Sequence, residues 1–578
     1  MHDLVIRGGM VIDGTGAPAR LADVAVDNGL ITRVGMVPDK GRREIDAKGL
    51  KVTPGWVDIH THYDGQATWD SYLSPSCWHG VTTVVMGNCG VGFAPARPDR
   101  HDWLIGLMES VEDIPGAALA EGIKWDWETF PEYMDALDRK PRVLDIATQA
   151  PHGAIRAYVM GERGARNEAA TPADIAEMAK ITKEAVLAGA LGFSTSRTQL
   201  HRAKDGEAMP GTFAGADEMI GIGEALGEAG HGVFEMASDM TMPEDEFAWM
   251  TAFAAKTGLP VTFGLLQSPT QPDKWRDMLK LTEQARAEGA MVTAQIACRP
   301  TGMVLGWQST VHPFSRKAAY RAIAHLPFAE RLVHLKDPAV REAILSEQTP
   351  PAPGIGAIFT HGFKTMFRLE RDGVLDYEPR AEDSIAAEAQ RTGRTPDEIV
   401  YDMLMENDGR GYIYLPLLNY ASFNFDHIAE MMHHPATILS LSDGGAHCGV
   451  ICDASFPTYM LTYWVRDRAR GERLSLEKVV SMQTRDTAKL YGLQDRGVIA
   501  PGMKADLNVI DLDALRILPP EMIFDLPAEG RRLVQRAEGY RATVVSGVVT
   551  FENGEATGDL PGKLIRGPQT APAAMAAE

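Results

Sequence analysis

Cysteine is scarce in this chain: Cys77, Cys89, Cys298, Cys448 and Cys452 are the only five in 578 residues. A sparse, odd-numbered set excludes a disulfide framework and leads to the expectation of reduced thiols in a cytoplasmic setting. Basic charge is also in deficit. Lys and Arg number 57 against 78 Asp and Glu, a formal charge of -21. Nucleic acid and anionic membrane surfaces attract basic proteins, so neither is an expected partner. No apolar run approaches the roughly 18 residues of a membrane span. The opening Met1-His2-Asp3-Leu4-Val5-Ile6-Arg7 carries charges where a signal peptide has its apolar centre. Internal repeats and low-complexity linkers are absent too. What remains is 45% hydrophobic and 23% charged, the composition of a soluble globular protein with a large core, and too long for one simple domain.

The chain changes texture twice. Residues 1–53 hold short strand patterns (Leu4-Val5-Ile6, Met10-Val11-Ile12, Val24-Ala25-Val26, Ile31 to Val34) separated by Gly or Asp. From Pro54, apolar runs alternate with helical patterns. The runs are Trp56 to His60, Val81 to Met86, Val143 to Thr148, Ala188 to Phe193, Val233 to Ala237, Val261 to Leu266, Met291 to Ile296 and Ile438 to Leu441. Between them, Thr171-Pro172-Ala173-Asp174 offers an N-cap followed by Pro at the first helical position. The segments Ala216 to Gly230 and Trp275 to Gly289 end on glycine. Eight such βα units predict an α/β fold, a (β/α)₈ TIM-like barrel, over residues 54–495. The stretch 298–435, with Pro350-Pro351 and Pro353, is too long for a loop and reads as an insertion over the active site. Strand patterns return at 496–560, at Lys504 to Ile510 and Tyr540 to Phe551 around Ser546-Gly547. They are expected to complete a composite β-sandwich with residues 1–53. Residues 565–578 read as a tail, Ala/Pro-rich and disordered from Gln569.

Donor side chains lie where these runs end. His60 and His62 are two apart, so in a strand they share a face. Cys89 follows the second run in Gly87-Asn88-Cys89-Gly90, and Asp443 follows the eighth in Ser442-Asp443-Gly444. Carboxyl ends of barrel strands carry catalytic groups, and the eighth strand neighbours the first. Two imidazoles, a thiolate and a carboxylate suit zinc. Asp443 can also accept a proton from water activated by the metal and return it to a leaving nitrogen.

These motifs resemble the amidohydrolase superfamily. Val57-Asp58-Ile59-His60-Thr61-His62-Tyr63-Asp64, Met86-Gly87-Asn88-Cys89-Gly90 and Leu441-Ser442-Asp443-Gly444 carry the resemblance, and Gly-Asn-Cys-Gly points to the N-acyl-D-amino-acid deacylase (D-aminoacylase) branch. It extends to Asp3-Leu4-Val5-Ile6-Arg7-Gly8-Gly9 and to the segment Arg496 to Leu507. It implies a cysteine in the bridging metal position and two further histidines at the ends of the fifth and sixth strands. This chain departs there: Val233-Phe234-Glu235-Met236-Ala237 and Val261-Thr262-Phe263-Gly264-Leu265 contain no histidine. One zinc ion is therefore expected, held by His60, His62, Cys89 and Asp443, with Glu235 as the available oxygen donor toward a second.

The expected activity is metal-dependent hydrolysis of a carbon–nitrogen bond in a small acyl-amide substrate, foremost an N-acyl D-amino acid. Alternatives are a cyclic amide or other acyl compound, and a non-catalytic member serving in assembly. His152, after the third run, can polarise the carbonyl or serve as a structural imidazole. Arg197 and Arg299 can clamp a carboxylate through their planar forks, or form ordinary salt bridges. His201 and His447 are further candidates for substrate contact. The resemblance is compatible with a homo-oligomer.

Overall fold

The computed structural model describes residues 1–350, 356–371 and 373–573. Pro351 and Pro353 of the expected turn, and residues 574–578 of the expected tail, lie outside the described residues.

The protein is a mixed α/β fold organised around parallel strands. In chain order they are Trp56–Asp58, Val81–Met86, Asp145–Thr148 continued after Gln149 by Ala150–Pro151, Gly192–Arg197, Val233–Ser238, Val261–Gly264, Val292–Ile296 and Thr437–Leu439. Each pairs in parallel with the next, apart from the eighth with the first. Those two are joined beyond the ladder by a parallel bridge from Thr61 to Gly444. There the His62 N–H donates to the Gly444 carbonyl at 2.7 Å. Strands with helices on their outer face are buried on both sides and read as unbroken apolar runs. All six residues of Val81–Met86 are buried.

Helix boundaries follow local chemistry. Thr171 and Asp174 form a capping box around Pro172, as the sequence predicts, and helix Pro172–Ala188 runs from it. That helix takes up Ala188, which the pattern had placed in the fourth strand. The chain turns at Gly189, and the strand begins at Gly192. Only glycine fits at 192, because a Cβ there would lie 2.0 Å from the Val233 carbonyl oxygen. Helix Ala216–Ala229 ends on Gly230 in the left-handed region (φ +81°).

Both ends of the chain share one nine-stranded sheet. Lys51–Pro54 pairs antiparallel with Leu507–Ile510, which pairs with Tyr540–Val545. The two expected N-terminal strands are one, His2–Val11, with a register shift between Ile6 and Gly9. Not all of 496–560 joins this sheet. Glu521–Leu526 and Gly530–Val534 form a separate hairpin. The Leu533 N–H of that hairpin donates to the Cys448 carbonyl at 2.6 Å. The stretch 298–435 has its own apolar core around Trp307, Phe314, Tyr320 and Tyr401. Trp307 is thus a core residue.

The tail also differs from expectation. Leu564 and Ile565 are buried, the Ile565 N–H donates to the Ile146 carbonyl, and the Gln569 N–H donates to that of Gly492. Apolar side chains available for burial tie residues 565–569 down despite the Ala/Pro-rich sequence that follows.

Candidate metal centre and active site

His60 and His62 lie just past the first strand, in a segment held by the end of the eighth. The Asp443 N–H donates to the His60 carbonyl at 3.2 Å, and Ser442 Oγ donates to the Asp58 carboxylate. One donor nitrogen from each histidine and Cys89 Sγ all lie within 4.8 Å of one another, and all three residues are buried. Cys89 Sγ is 3.3 Å from His60 Nε2. Asp443 Oδ1 lies 3.4 Å from His60 Nε2 and 3.6 Å from His62 Nε2. Cys89 (φ +54°), Asp443 (φ +49°) and His447 (φ +50°) hold left-handed backbone, which is uncommon outside glycine and clusters at functional sites.

The imidazoles are oriented from behind. His60 Nδ1 is 2.9 Å from Gln295 Oε1, which also accepts from Ser440 Oγ at 2.8 Å. A carbonyl oxygen can only accept, so Nδ1 carries the proton and Nε2 presents its lone pair to the cluster. His62 Nδ1 faces Glu112 Oε1 at 3.6 Å. Glu235 Oε2 accepts the Cys89 N–H at 2.8 Å, while Oε1 stands 4.0 Å from His60 Nδ1.

The centre has a surplus of buried carboxylate. Glu112 and Glu235 are 1% and 0% exposed in their side chains. Among the described residues, neither oxygen of Glu112 has a hydrogen-bond partner, nor has Glu235 Oε1. Histidines are the only ion-pair partners of Glu112, Glu235 and Asp443 among the described residues. Burial pushes the Glu235 carboxyl up to about 8 and brings His60 down to about 4. For His62, burial is outweighed by Glu112 and Asp443, and the ring rises to about 9. Burial raises the Cys89 thiol well above its ordinary value. A divalent cation among these groups would offset the uncompensated negative charge and favour the thiolate. The donor set therefore fits a metal, and its N, S and O mixture fits zinc.

Other residues expected at the site fall into two groups. Burial lowers the pKa of His201; Glu112 raises it, and His447 and His62 act against Glu112. His201 Nδ1 is 2.9 Å from Ser196 Oγ. His447 Nε2 is 3.7 Å from Glu112 Oε2, and its side chain is 27% exposed. The remaining three have partners within the fold. His152 has both ring nitrogens occupied, by Thr195 Oγ1 at 2.8 Å and Glu218 Oε1 at 2.9 Å. Arg197 Nε is 2.7 Å from Glu246 and its Nη1 donates to the Ala214 carbonyl. Arg299 is buried, donates to Asp453 Oδ1 at 2.9 Å, and stacks on Tyr377. Both guanidinium groups are held by buried or half-buried carboxylates, the ordinary fate of an arginine in a fold.

Two residues at the centre were not anticipated. Gln295 was legible as a polar side chain inside the buried run Met291 to Ile296. Glu112 follows helix His101–Val111 in an acidic stretch that no spacing distinguishes.

A parallel α/β scaffold with a buried nitrogen, sulfur and oxygen donor set at its strand ends is the frame of a metal-dependent hydrolase. The chain belongs to the amidohydrolase family, whose profile matches residues 43–551. An N-acyl-D-aspartate deacylase of Alcaligenes xylosoxydans xylosoxydans is 26% identical over 575 residues, covering 97% of this chain and 95% of that protein. The fold is that of D-aminoacylase, with a TM-score of 0.64 at 23% identity over 98% of this chain and 100% of that one. It also matches Bordetella bronchiseptica N-acyl-D-glutamate deacylase, solved with zinc and a phosphonate mimic of the tetrahedral intermediate. Here the TM-score is 0.64 at 23% identity, over 98% of this chain and 99% of that one. Among the described residues no helix is long and apolar enough to cross a membrane.

Proposed function

We propose that this amidohydrolase is a zinc-dependent deacylase of N-acyl D-amino acids. The observation that carries the reading is the convergence of donor atoms from His60, His62 and Cys89 within 4.8 Å, with the Asp443 carboxylate against both imidazoles. The near full-length likeness to an N-acyl-D-aspartate deacylase supports the substrate class. His60, His62, Cys89 and Asp443 would hold one zinc ion, and Glu235 is the nearest additional oxygen donor. When bound, zinc supplies Lewis acidity toward an amide carbonyl and makes water nucleophilic near neutral pH.

The chain's own groups do the rest. Gln295 fixes the His60 tautomer, and Glu112 orients His62. Asp443 accepts a proton from the attacking water and returns it to the amide nitrogen as the carbon–nitrogen bond breaks. His201 and His447 stand at the margin of the cluster, where they contact the substrate carboxylate; Arg197 and Arg299 do not. We read the eight parallel strands as a closed (β/α)₈ barrel. Its catalytic part comprises residues 54–495, the stretch 298–435 covers the active site, and residues 1–53 with the sheet-forming part of 496–560 make the composite β-domain.

A turnover screen tests this reading. N-acetyl D- and L-amino acids, hydantoin and dihydrouracil are offered to the full chain with graded zinc. Release of free D-amino acid, rising to a plateau near one equivalent of zinc, is expected. Ring opening of the cyclic amides without deacylation would overturn it.

A further inference from the structure

A cavity of about 1050 Å³ opens at the amino ends of the strands, opposite the donor cluster. Its walls come from the starts of the fourth to eighth strands and from helices Leu476–Gln483 and Arg485–Leu490. In a chain carrying -21, this lining has the opposite sign. Arg286, Lys478, Arg485 and Lys489 face it, with Asp486 as the only carboxylate among the described residues of the lining. Asp486 is taken by Arg485, whose Nη2 lies 2.8 Å from Oδ1. Among the described residues, Arg286, Lys478 and Lys489 have no carboxylate within ion-pair distance. Lys478 Nζ instead points at His433 Nδ1, 3.2 Å away. Arg286 Nη1 donates to the Val292 carbonyl at 3.2 Å. Three uncompensated cations around one cavity concentrate positive potential where the rest of the surface repels anions.

The cavity has an apolar side as well. Pro260, Met432, Met482 and Tyr491 line it. A few placed charges on an apolar wall are what a small-molecule site uses to fix orientation, and the volume is of the order of a drug-sized site. Tyr491 is itself buried.

We propose that this amino-end cavity is a second ligand site, which takes a small polyanion with an apolar portion. Phosphates or several carboxylates would meet Arg286, Lys478 and Lys489, and the apolar part would lie on Met432, Met482 and Tyr491. The site is separate from the deacylase centre and does not depend on the activity proposed for it.

Isothermal titration of the zinc-loaded full chain with ATP, tripolyphosphate and citrate at low salt tests the proposal. Saturable binding of at least one probe, near one per chain, is expected. ATP above tripolyphosphate would identify a phosphate ligand with a stacked base, and citrate above both a carboxylate one. The Lys478→Glu/Lys489→Glu variant changes two side chains outside the core and is expected to weaken binding by roughly a hundredfold, about tenfold per cation. Repeating the titration on metal-free chain separates this site from chelation at the zinc centre and is expected to leave binding unchanged. Absence of saturable binding by all three probes would overturn the proposal. So would binding that survives the double charge reversal, or binding lost in the metal-free chain.

Discussion

Asp443 is held by two imidazoles and by left-handed backbone, so it can move a proton but has little freedom to relocate. Asp443→Asn keeps the shape and removes the base. Turnover is expected to fall by about 10²–10⁴-fold, with thermal midpoint retained; an unchanged kcat would remove Asp443 from the chemistry. Glu112 is the less obvious residue. Its carboxylate is buried, has no hydrogen-bond partner, and lies 3.6 Å from His62 Nδ1. A carboxylate behind a metal-binding histidine sets its tautomer and raises its basicity. Glu112→Gln is expected to weaken zinc by about 10–100-fold in a chelator competition. An unaltered zinc affinity would mean that Glu112 does not orient His62. His60→Ala removes a donor outright, and full zinc occupancy in that variant would contradict the donor set proposed above.

Elements are positioned by buried polar ties as well as apolar packing. His152 opens helix His152–Met160 and shares Glu218 with Arg156, at 2.9 and 2.8 Å. This joins that helix to Ala216–Ala229. Burial disfavours the Glu218 carboxylate, but hydrogen bonds from His152 and Arg156 outweigh it and bring the pKa from 4.5 to about 2. A carboxyl whose folded pKa is depressed binds its proton more readily when unfolded. Its stabilisation is therefore complete above about pH 4.5 and is lost as the pH falls toward about 2. Glu218→Gln is expected to cost about 3 kcal/mol at pH 7, because it strands a buried guanidinium. The gap from wild type in denaturant midpoint should narrow across that acid window. A gap that stays constant down to pH 2 would show that ionisation of Glu218 plays no part. At the start of Pro172–Ala188, Thr171→Ala removes one half of the capping box and is expected to cost about 1 kcal/mol; an unchanged unfolding midpoint would deny the cap that role.

For the chain as a whole, a metal bound as proposed would link strands distant in sequence. His60 and His62 follow the first strand, Cys89 the second, and Asp443 the eighth. A ligand that binds the folded state alone stabilises it by mass action, about 2.7 kcal/mol at a hundredfold excess over its Kd. Chelation is therefore expected to abolish turnover and lower the thermal midpoint, with both restored by zinc. Activity that survives exhaustive chelation would end the metal-dependent reading.

Strand positions were readable because residues covered by helices must be apolar on both faces, and all eight runs overlap an observed strand. The convergence of His60, His62 and Cys89 was readable because the ends of neighbouring parallel strands lie side by side. The insertion and the pairing of the two chain ends were visible as breaks in texture. Contact partners were not. Whether a histidine faces a cavity or a carboxylate depends on residues far along the chain: Glu218 for His152, Glu246 for Arg197, Asp453 for Arg299. Local pattern carries no information about which distant carboxylate arrives, so these three looked as available as His201 and His447. Gln295 and Glu112 belong with them, since their roles exist only once folding sets them behind His60 and His62. Composition and period settle how a segment folds, because those forces act between neighbours. Which buried charges meet is settled by packing across the core, where an ionised group must find a partner or a cation.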